Sequence, residues 1–288
     1  MGHRLGKASE EAVVAGSNPA RGSYANKHTQ DMVRISISLE KYLKNLQLEQ
    51  LFGKLGASNP EILAKEIEHF TTKEAEKRDK IVINYFRENG VNQIVSNITK
   101  ILFASPKLPA KAKVLDVGAG SGFFTVKIAE KIHDQLPAVS LYAMDLTPAM
   151  LLPLAKKKGN ITPFIGIAEN IESSIKEAKK FFNIPFKFDA IFSTLMLHHS
   201  TQPEKVFKSL KQALKKRGKA IVVDLCEHGF EEFKTEMGDV HLGFKPENIY
   251  KMARKYFSEV KVEKLSGICC ECSGRSARIF VATMQNQS

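Results

Sequence analysis

The sequence predicts an α/β protein: a parallel β-sheet domain preceded by a helical segment. Three observations carry this expectation. After Lys113, short apolar runs alternate with amphipathic stretches, which is the rhythm of βαβ units. Before Phe103, apolar residues recur at helical spacing, at Leu39, Leu43, Leu46 and Leu51, then at Ile62, Leu63, Ile67 and Phe70. A glycine-rich turn, Gly118-Ala119-Gly120-Ser121-Gly122, falls where the first apolar run hands over to the first amphipathic stretch.

Residues 1–31 show neither period and are rich in Gly, Ser, Ala and Asn, a composition that buries too little surface to order itself. Two readings stand for them. One is a disordered tail. The other starts from Val14-Ala15-Gly16-Ser17-Asn18-Pro19-Ala20-Arg21, which resembles the translated T-arm of a tRNA gene and makes the stretch a mis-called N-terminal extension, with Met32 as the true start.

Residues 32–110 read as a helical cap region. Asn59-Pro60-Glu61 has the cap, proline and first-turn acid of a helix start. Further helices are expected over Lys73 to Glu88 and Val91 to Phe103, broken at Gly90, and Pro106 and Pro109 close the region. From residue 111 to 288 the chain reads as one domain. Strands are expected at Val114 to Val117, Ser140 to Asp145, Thr162 to Ile167, Phe188 to Ser193 and Lys219 to Leu225, with two more around Val260 and Phe280. The helices between them are expected at Phe123 to His133, Pro148 to Lys157, Glu172 to Phe182, Pro203 to Lys216 and Pro246 to Tyr256.

Composition narrows the function classes. In 288 residues, 43% hydrophobic and 26% charged, there is core enough to exclude a fibrous or wholly disordered chain. Four cysteines, three of them crowded at Cys269, Cys270 and Cys272, do not make a disulfide framework and read as thiols in a reducing compartment. No apolar run reaches the roughly 18 residues that span a bilayer, so a cytoplasmic protein with no membrane partner is expected. The net charge of +12 admits a nucleic-acid partner or a lysine-rich exterior. Lys156-Lys157-Lys158, Lys179-Lys180 and Lys215-Lys216-Arg217 lie toward helix C-terminal ends, where cations complement the helix dipole, and this favours the second reading.

The chemistry sits in the first strand and its turn. A dinucleotide fingerprint needs G-x-G-x-x-G, and Phe123 stands where its third glycine belongs. The pattern is instead D-x-G-x-G-x-G, with Asp116 two residues before Gly118. It resembles motif I of the class I S-adenosylmethionine-dependent methyltransferases, and further short motifs extend the resemblance over roughly Lys113 to Met284. Met144-Asp145-Leu146-Thr147-Pro148-Ala149-Met150 is similar to the family's acid followed by x-x-P-x-M. Gly166-Ile167-Ala168-Glu169-Asn170 is similar to its G-D-A-E-N at four of five positions, and Phe188 to Ser193 followed by Leu197-His198-His199 resembles its fourth strand and L-H-H ending.

The resemblance implies a Rossmann-like seven-stranded mostly parallel sheet with an N-terminal helical cap, and S-adenosylmethionine as cofactor. It places Asp116 beside the glycine loop and the methionine amino group, Gly118, Ala119, Gly120 and Gly122 around the methionine portion, and Asp145 with Leu146 at the ribose. Ala168 and Glu169 fall near the adenine, and Ser193 at the end of the fourth strand. Ile167 departs from the family's aspartate, so either Ile167 packs on the adenine face or the backbone near Ala168 reads the ring edge.

The acceptor is expected to be a small molecule; an RNA methyltransferase, an arsenite methyltransferase and a non-catalytic S-adenosylmethionine-binding regulator are the alternatives. On the acceptor side stand His199, Cys226, Cys269, Cys270 and Cys272, because the family's strand order would gather all four thiols at the cofactor edge. Their other reading is small buried side chains of a hairpin. Cys-Cys-x-Cys lacks the separated pairs of a zinc site, so no metal is expected. Glu227, His228, Asp239 and His241 follow the fifth strand, where one could act as a general base.

Overall fold

Seven strands form one sheet in the order β3-β2-β1-β4-β5-β7-β6, where β1 is Lys113–Val117, β2 Ser140–Asp145, β3 Ile161–Ile165, β4 Phe188–Thr194, β5 Leu214–Leu225, β6 Glu259–Cys272 and β7 Arg275–Gln285. Strands β1 to β5 pair in parallel. β7 alone runs antiparallel, wedged between β5 and β6. The computed structural model describes residues 39–44, 47–56, 63, 67, 72–157 and 160–286. The expectations for residues 1–31, for Met32 as start and for the Asn59-Pro60-Glu61 helix start lie outside the described residues.

The order of strands follows from their burial. After Lys113, β1 is buried throughout and apolar except for Asp116, as a central parallel strand covered by helices must be. α3 (Phe123–Gln135), α4 (Pro148–Lys156), α5 (Ile171–Ala178) and α6 (Pro203–Ala213) supply those layers, with a short α7 (Glu232–Glu236) and α8 (Pro246–Arg254) later in the chain. Two apolar clusters result, one on each side of the sheet.

Before the sheet stand residues 39–44, which are helical, then α1 (Leu48–Leu55) and a long α2 (Thr72–Phe103). The expected break in α2 is misplaced. Gly90 stays helical, its missing Cβ letting the helix lie against Ile268 of β6, at 3.4 Å from the position such a Cβ would take. The kink falls at Arg87, with φ 54° and ψ 162°, a conformation rare for a residue with a side chain. Arg87 there reaches Glu271 of β6 through two hydrogen bonds of 2.9 and 3.2 Å. At the helix's C-terminal end the buried Lys219 of β5 donates to the carbonyls of Ile101 and Ala104, both at 2.9 Å. An ammonium among orphan carbonyls both caps the helix and fixes it to the sheet.

Other boundaries move by a turn. α6 ends at Ala213 rather than Lys216, because Leu214 already pairs with Phe188 and the backbone carbonyls of Lys215 and Gly218 bond Asn286. α5 stops at Ala178, after which Phe181 and Phe182 turn to pack their rings on Tyr42. Among the basic runs, Lys157 pairs with Asp79, Lys180 with Glu177 and Lys215 with Asp189. These lysines are locally neutralised.

Candidate active site

At the C-terminal ends of β1 to β4 lies a cleft that opens to solvent. Gly118, Asp145, Leu146, Ala168, Glu169 and His199 are among its lining residues. This is the edge where open α/β sheets bind ligands. Gly118 has φ +74°, and a Cβ there would sit 2.2 Å from Cγ of Met196; Gly122, at φ +77°, would strike Leu154 at the same distance. The loop is therefore both left-handed and closely packed, which only glycine satisfies.

Two carboxylates support the loop. Asp145, at the end of β2, accepts the Gly120 N–H at 2.7 Å on one oxygen and the Thr147 N–H at 2.8 Å on the other. Burial raises its pKa against these bonds. Asp116 is 2% exposed; burial pushes its pKa up to about 7, although Thr125 donates to it at 2.6 Å. Its Oδ1 has no hydrogen-bond partner among the described residues. The glycine loop is thus braced by Asp145, while Asp116 bonds the first turn of α3.

Beyond the end of β3, Ile167 and Ala168 line the cleft wall and Glu169 accepts a hydrogen bond from Ser200 at 2.5 Å. Ala119, Gly120 and Gly122 belong to the loop without lining the cleft. Ser193 also lies away from it: it is buried and donates to the Val117 carbonyl at 2.8 Å, joining β4 to β1.

Behind the cleft is a buried polar group. Asp224, in β5, accepts the N–H groups of Leu197 and Leu225, each at 2.7 Å, and its Oδ1 bonds His198 Nδ1 at 2.6 Å. On the far side of that ring, Nε2 stands 3.4 Å from Asp239 Oδ1. Burial opposes charging His198, but Asp224 and Asp239 outweigh it and raise its pKa; burial also lifts Asp239 to about 6. His199 lies against His198, with ring centroids 4.2 Å apart and planes tilted by 42°, and holds its Nδ1 3.2 Å from the Gly238 carbonyl. Arg78, from α2, acts electrostatically on Tyr85, Cys270, Asp145 and Asp239, and burial depresses its pKa.

The thiols do not gather. Cys226 and Cys269 both register with Arg278 of β7, whereas Cys270 registers with Ala277. Strand alternation then places Cys270 and Cys272 on one face of the sheet and Cys226 and Cys269 on the other, and Cys226 packs in the opposite apolar cluster. A cradle of three thiols is thereby ruled out. Burial raises the pKa of Cys270 far above the ordinary thiol range and pushes Cys272 up to about 12, with Glu236 accepting the Cys272 S–H at 3.0 Å.

Several of these residues escaped the sequence reading. Asp224 carried a signal, an acid inside the apolar run Ile221-Val222-Val223 to Leu225. Arg78 and Asp79 carried none, because α2 reads as an ordinary amphipathic surface helix.

Sheet order, glycine loop and acid-ended second strand together define a class I S-adenosylmethionine-dependent methyltransferase. The family described as a methyltransferase domain matches residues 108–266, and the chain belongs to it. A fission-yeast (Schizosaccharomyces pombe) mitochondrial ubiquinone biosynthesis O-methyltransferase is 28% identical over 111 residues, 38% of this chain and 36% of that protein. A Legionella pneumophila malonyl-(acyl-carrier protein) O-methyltransferase is 26% identical over 129 residues, 44% of this chain and 40% of that one. The chain thus spans well under half the length of these curated relatives. Among solved structures, Haemonchus contortus phosphoethanolamine N-methyltransferase 2, in complex with phosphomonomethylethanolamine and S-adenosylhomocysteine, superposes with a TM-score of 0.56 at 15% identity, covering 85% of this chain and 61% of that one. At that identity the likeness is one of fold. Among the described residues no helix is long and apolar enough to cross a membrane.

Proposed function

We propose that this chain transfers the methyl group of S-adenosylmethionine to a small-molecule acceptor by in-line displacement. The observation that carries the reading is the cleft at the sheet edge, where the left-handed Gly118 turn, Asp145 and the Ala168–Glu169 turn face one another. The residues fit the cofactor. Asp116 Oδ1 is a buried acceptor without a partner among the described residues, suited to an ammonium nearby, and Gly118 lines the cleft with no side chain to fill it.

When bound, S-adenosylmethionine supplies a methyl made electrophilic by its sulfonium. Asp145 accepts the ribose hydroxyls on lone pairs left over from its two backbone bonds, Leu146 covers the ribose, and Ile167 packs against the adenine. Asp116 orients the amino group. His199 lines the acceptor side, and the chain's remaining tasks are to hold the nucleophile in line and to exclude water. Two relatives are named O-methyltransferases, which supports an oxygen acceptor for this chain.

Calorimetric titration with S-adenosylmethionine and S-adenosylhomocysteine, followed by methyl-transfer assays on small hydroxyl compounds, thiols, arsenite and total RNA, tests the reading. Cofactor binding with transfer to a small molecule is expected. Transfer to RNA alone, or binding with no transfer to any acceptor class, overturns it.

A further inference from the structure

The geometry points to a metal site: His198, His199 and Asp239 hold one first-row transition-metal dication, whose open coordination position receives the acceptor's oxygen. The proposal rests on the methyl-transfer reading for its role and on the side chains alone for its existence.

One ligand atom from each of the three residues lies within 4.8 Å of the others, and all three residues are buried. Among the described residues, His198 Nε2 and both Asp239 oxygens are buried without a hydrogen-bond partner. Leaving such atoms bare costs about 1–3 kcal/mol each, more for a charge, so the arrangement asks for an occupant. The 3.4 Å between Nε2 and Oδ1 is long for a hydrogen bond. It equals the edge of about 3.4 Å spanned by nitrogen and oxygen ligands on a tetrahedral ion with bonds near 2.0–2.1 Å.

The surroundings point the same way. The Asp224 carboxylate and the Gly238 carbonyl only accept hydrogen bonds, so His198 and His199 each donate from Nδ1, and in the neutral ring the lone pair then belongs to Nε2. A carboxylate or carbonyl behind each imidazole is the outer support that orients metal-binding histidines. Two carboxylates, Asp224 and Asp239, stand on opposite sides of the His198 ring, and Arg78 acts electrostatically on Asp239. Two imidazoles and a carboxylate are a three-ligand set that keeps a position open for a substrate. Of the three, His199 lines the cleft, and the open position is assigned to that side. An oxygen acceptor bound there is lowered in pKa by the ion and presented to the methyl group as the stronger nucleophile.

The full chain, stripped with chelator, is titrated with zinc and separately with cobalt in the absence of cofactor. One equivalent per chain is expected, with a visible cobalt spectrum lacking thiolate charge-transfer bands. Asp239→Asn and His199→Gln are expected to weaken zinc binding by about 100-fold or more, and Asp224→Asn by about 10–100-fold. Circular dichroism and S-adenosylmethionine binding report whether each variant is folded. Absence of uptake by the wild-type chain overturns the site, as does uptake unchanged in folded Asp239→Asn or abolished by Cys270→Ser and Cys272→Ser. Zinc bound without methyl transfer to any acceptor leaves the site standing and removes the function.

Discussion

Gly120 donates its backbone N–H to Asp145 Oδ2 across 2.7 Å, so the acid that ends β2 also braces the glycine loop that follows β1. Loop shape and, on the proposed reading, ribose recognition thereby depend on one side chain. Asp145→Ala removes both and is expected to weaken S-adenosylmethionine binding by about 1–3 kcal/mol, read by calorimetry. Affinity equal to wild type would dismiss Asp145 as a cofactor ligand.

Gly118→Ala tests the loop from the other side. A left-handed backbone costs a residue with a Cβ about 1–2 kcal/mol, and the new methyl meets Cβ and Cγ of Met196 at 2.5 and 2.2 Å. Met196 lines the cleft and must move to make room. Stability falls by about 2 kcal/mol or more in denaturant unfolding, and cofactor affinity falls with it. Gly120→Ala also adds a methyl at positive φ, at +54°, but meets nothing within 4 Å among the described residues, and is expected to cost less.

Asp116 gives a pH dependence whose sign follows from burial. Its pKa of about 7 lies above the unfolded value, so the folded chain binds more protons than the unfolded one between about pH 4 and pH 7. Stability therefore falls as pH rises through that window, by at most about 1.4 kcal/mol per pH unit. Asp116→Asn removes the slope, and its stability relative to wild type should improve from about pH 5 to about pH 8. A constant difference across that range would show that the carboxyl carries no burial cost.

What was legible in the sequence is what repeats locally. The strand and helix alternation, the D-x-G-x-G-x-G turn and the acid at Asp145 each declare themselves within about ten residues, because period and turn chemistry are local properties. The thiols show the limit. Whether Cys226 shares a face with Cys270 depends on the register of β7 between β5 and β6, and one residue of shift reverses the answer. Gly90 misled for a related reason, since a glycine needed for close approach to Ile268 looks in sequence like a glycine needed to break a helix. The pairing of His198 with Asp224 and Asp239 joins three separated segments, and Arg78 arrives from a fourth.

Asp79 offers the sharpest test of how the helical segment serves the cleft. From α2 its carboxylate accepts a hydrogen bond from Ser121 Oγ at 2.7 Å and pairs with Lys157 at 2.7 Å, joining the helix, the glycine loop and the end of α4 through one group. The ion pair is part-exposed, its side chains 38% and 23% accessible, and contributes no more than about 1 kcal/mol. The Ser121 bond, to a residue only 2% exposed, adds about 1 kcal/mol. Asp79→Ala should therefore lower global stability only modestly while freeing α2 to lift from the loop. Hydrogen exchange is expected to rise in the N-terminal half of α2 and around Ser121, and cofactor dissociation to quicken by about tenfold, the equivalent of about 1.4 kcal/mol. Asp79→Asn keeps an acceptor for Ser121 but loses the charge, so it should fall between the two and lose the salt sensitivity of the wild type. If neither variant alters exchange in α2 or the dissociation rate, the helix covers the loop without holding it.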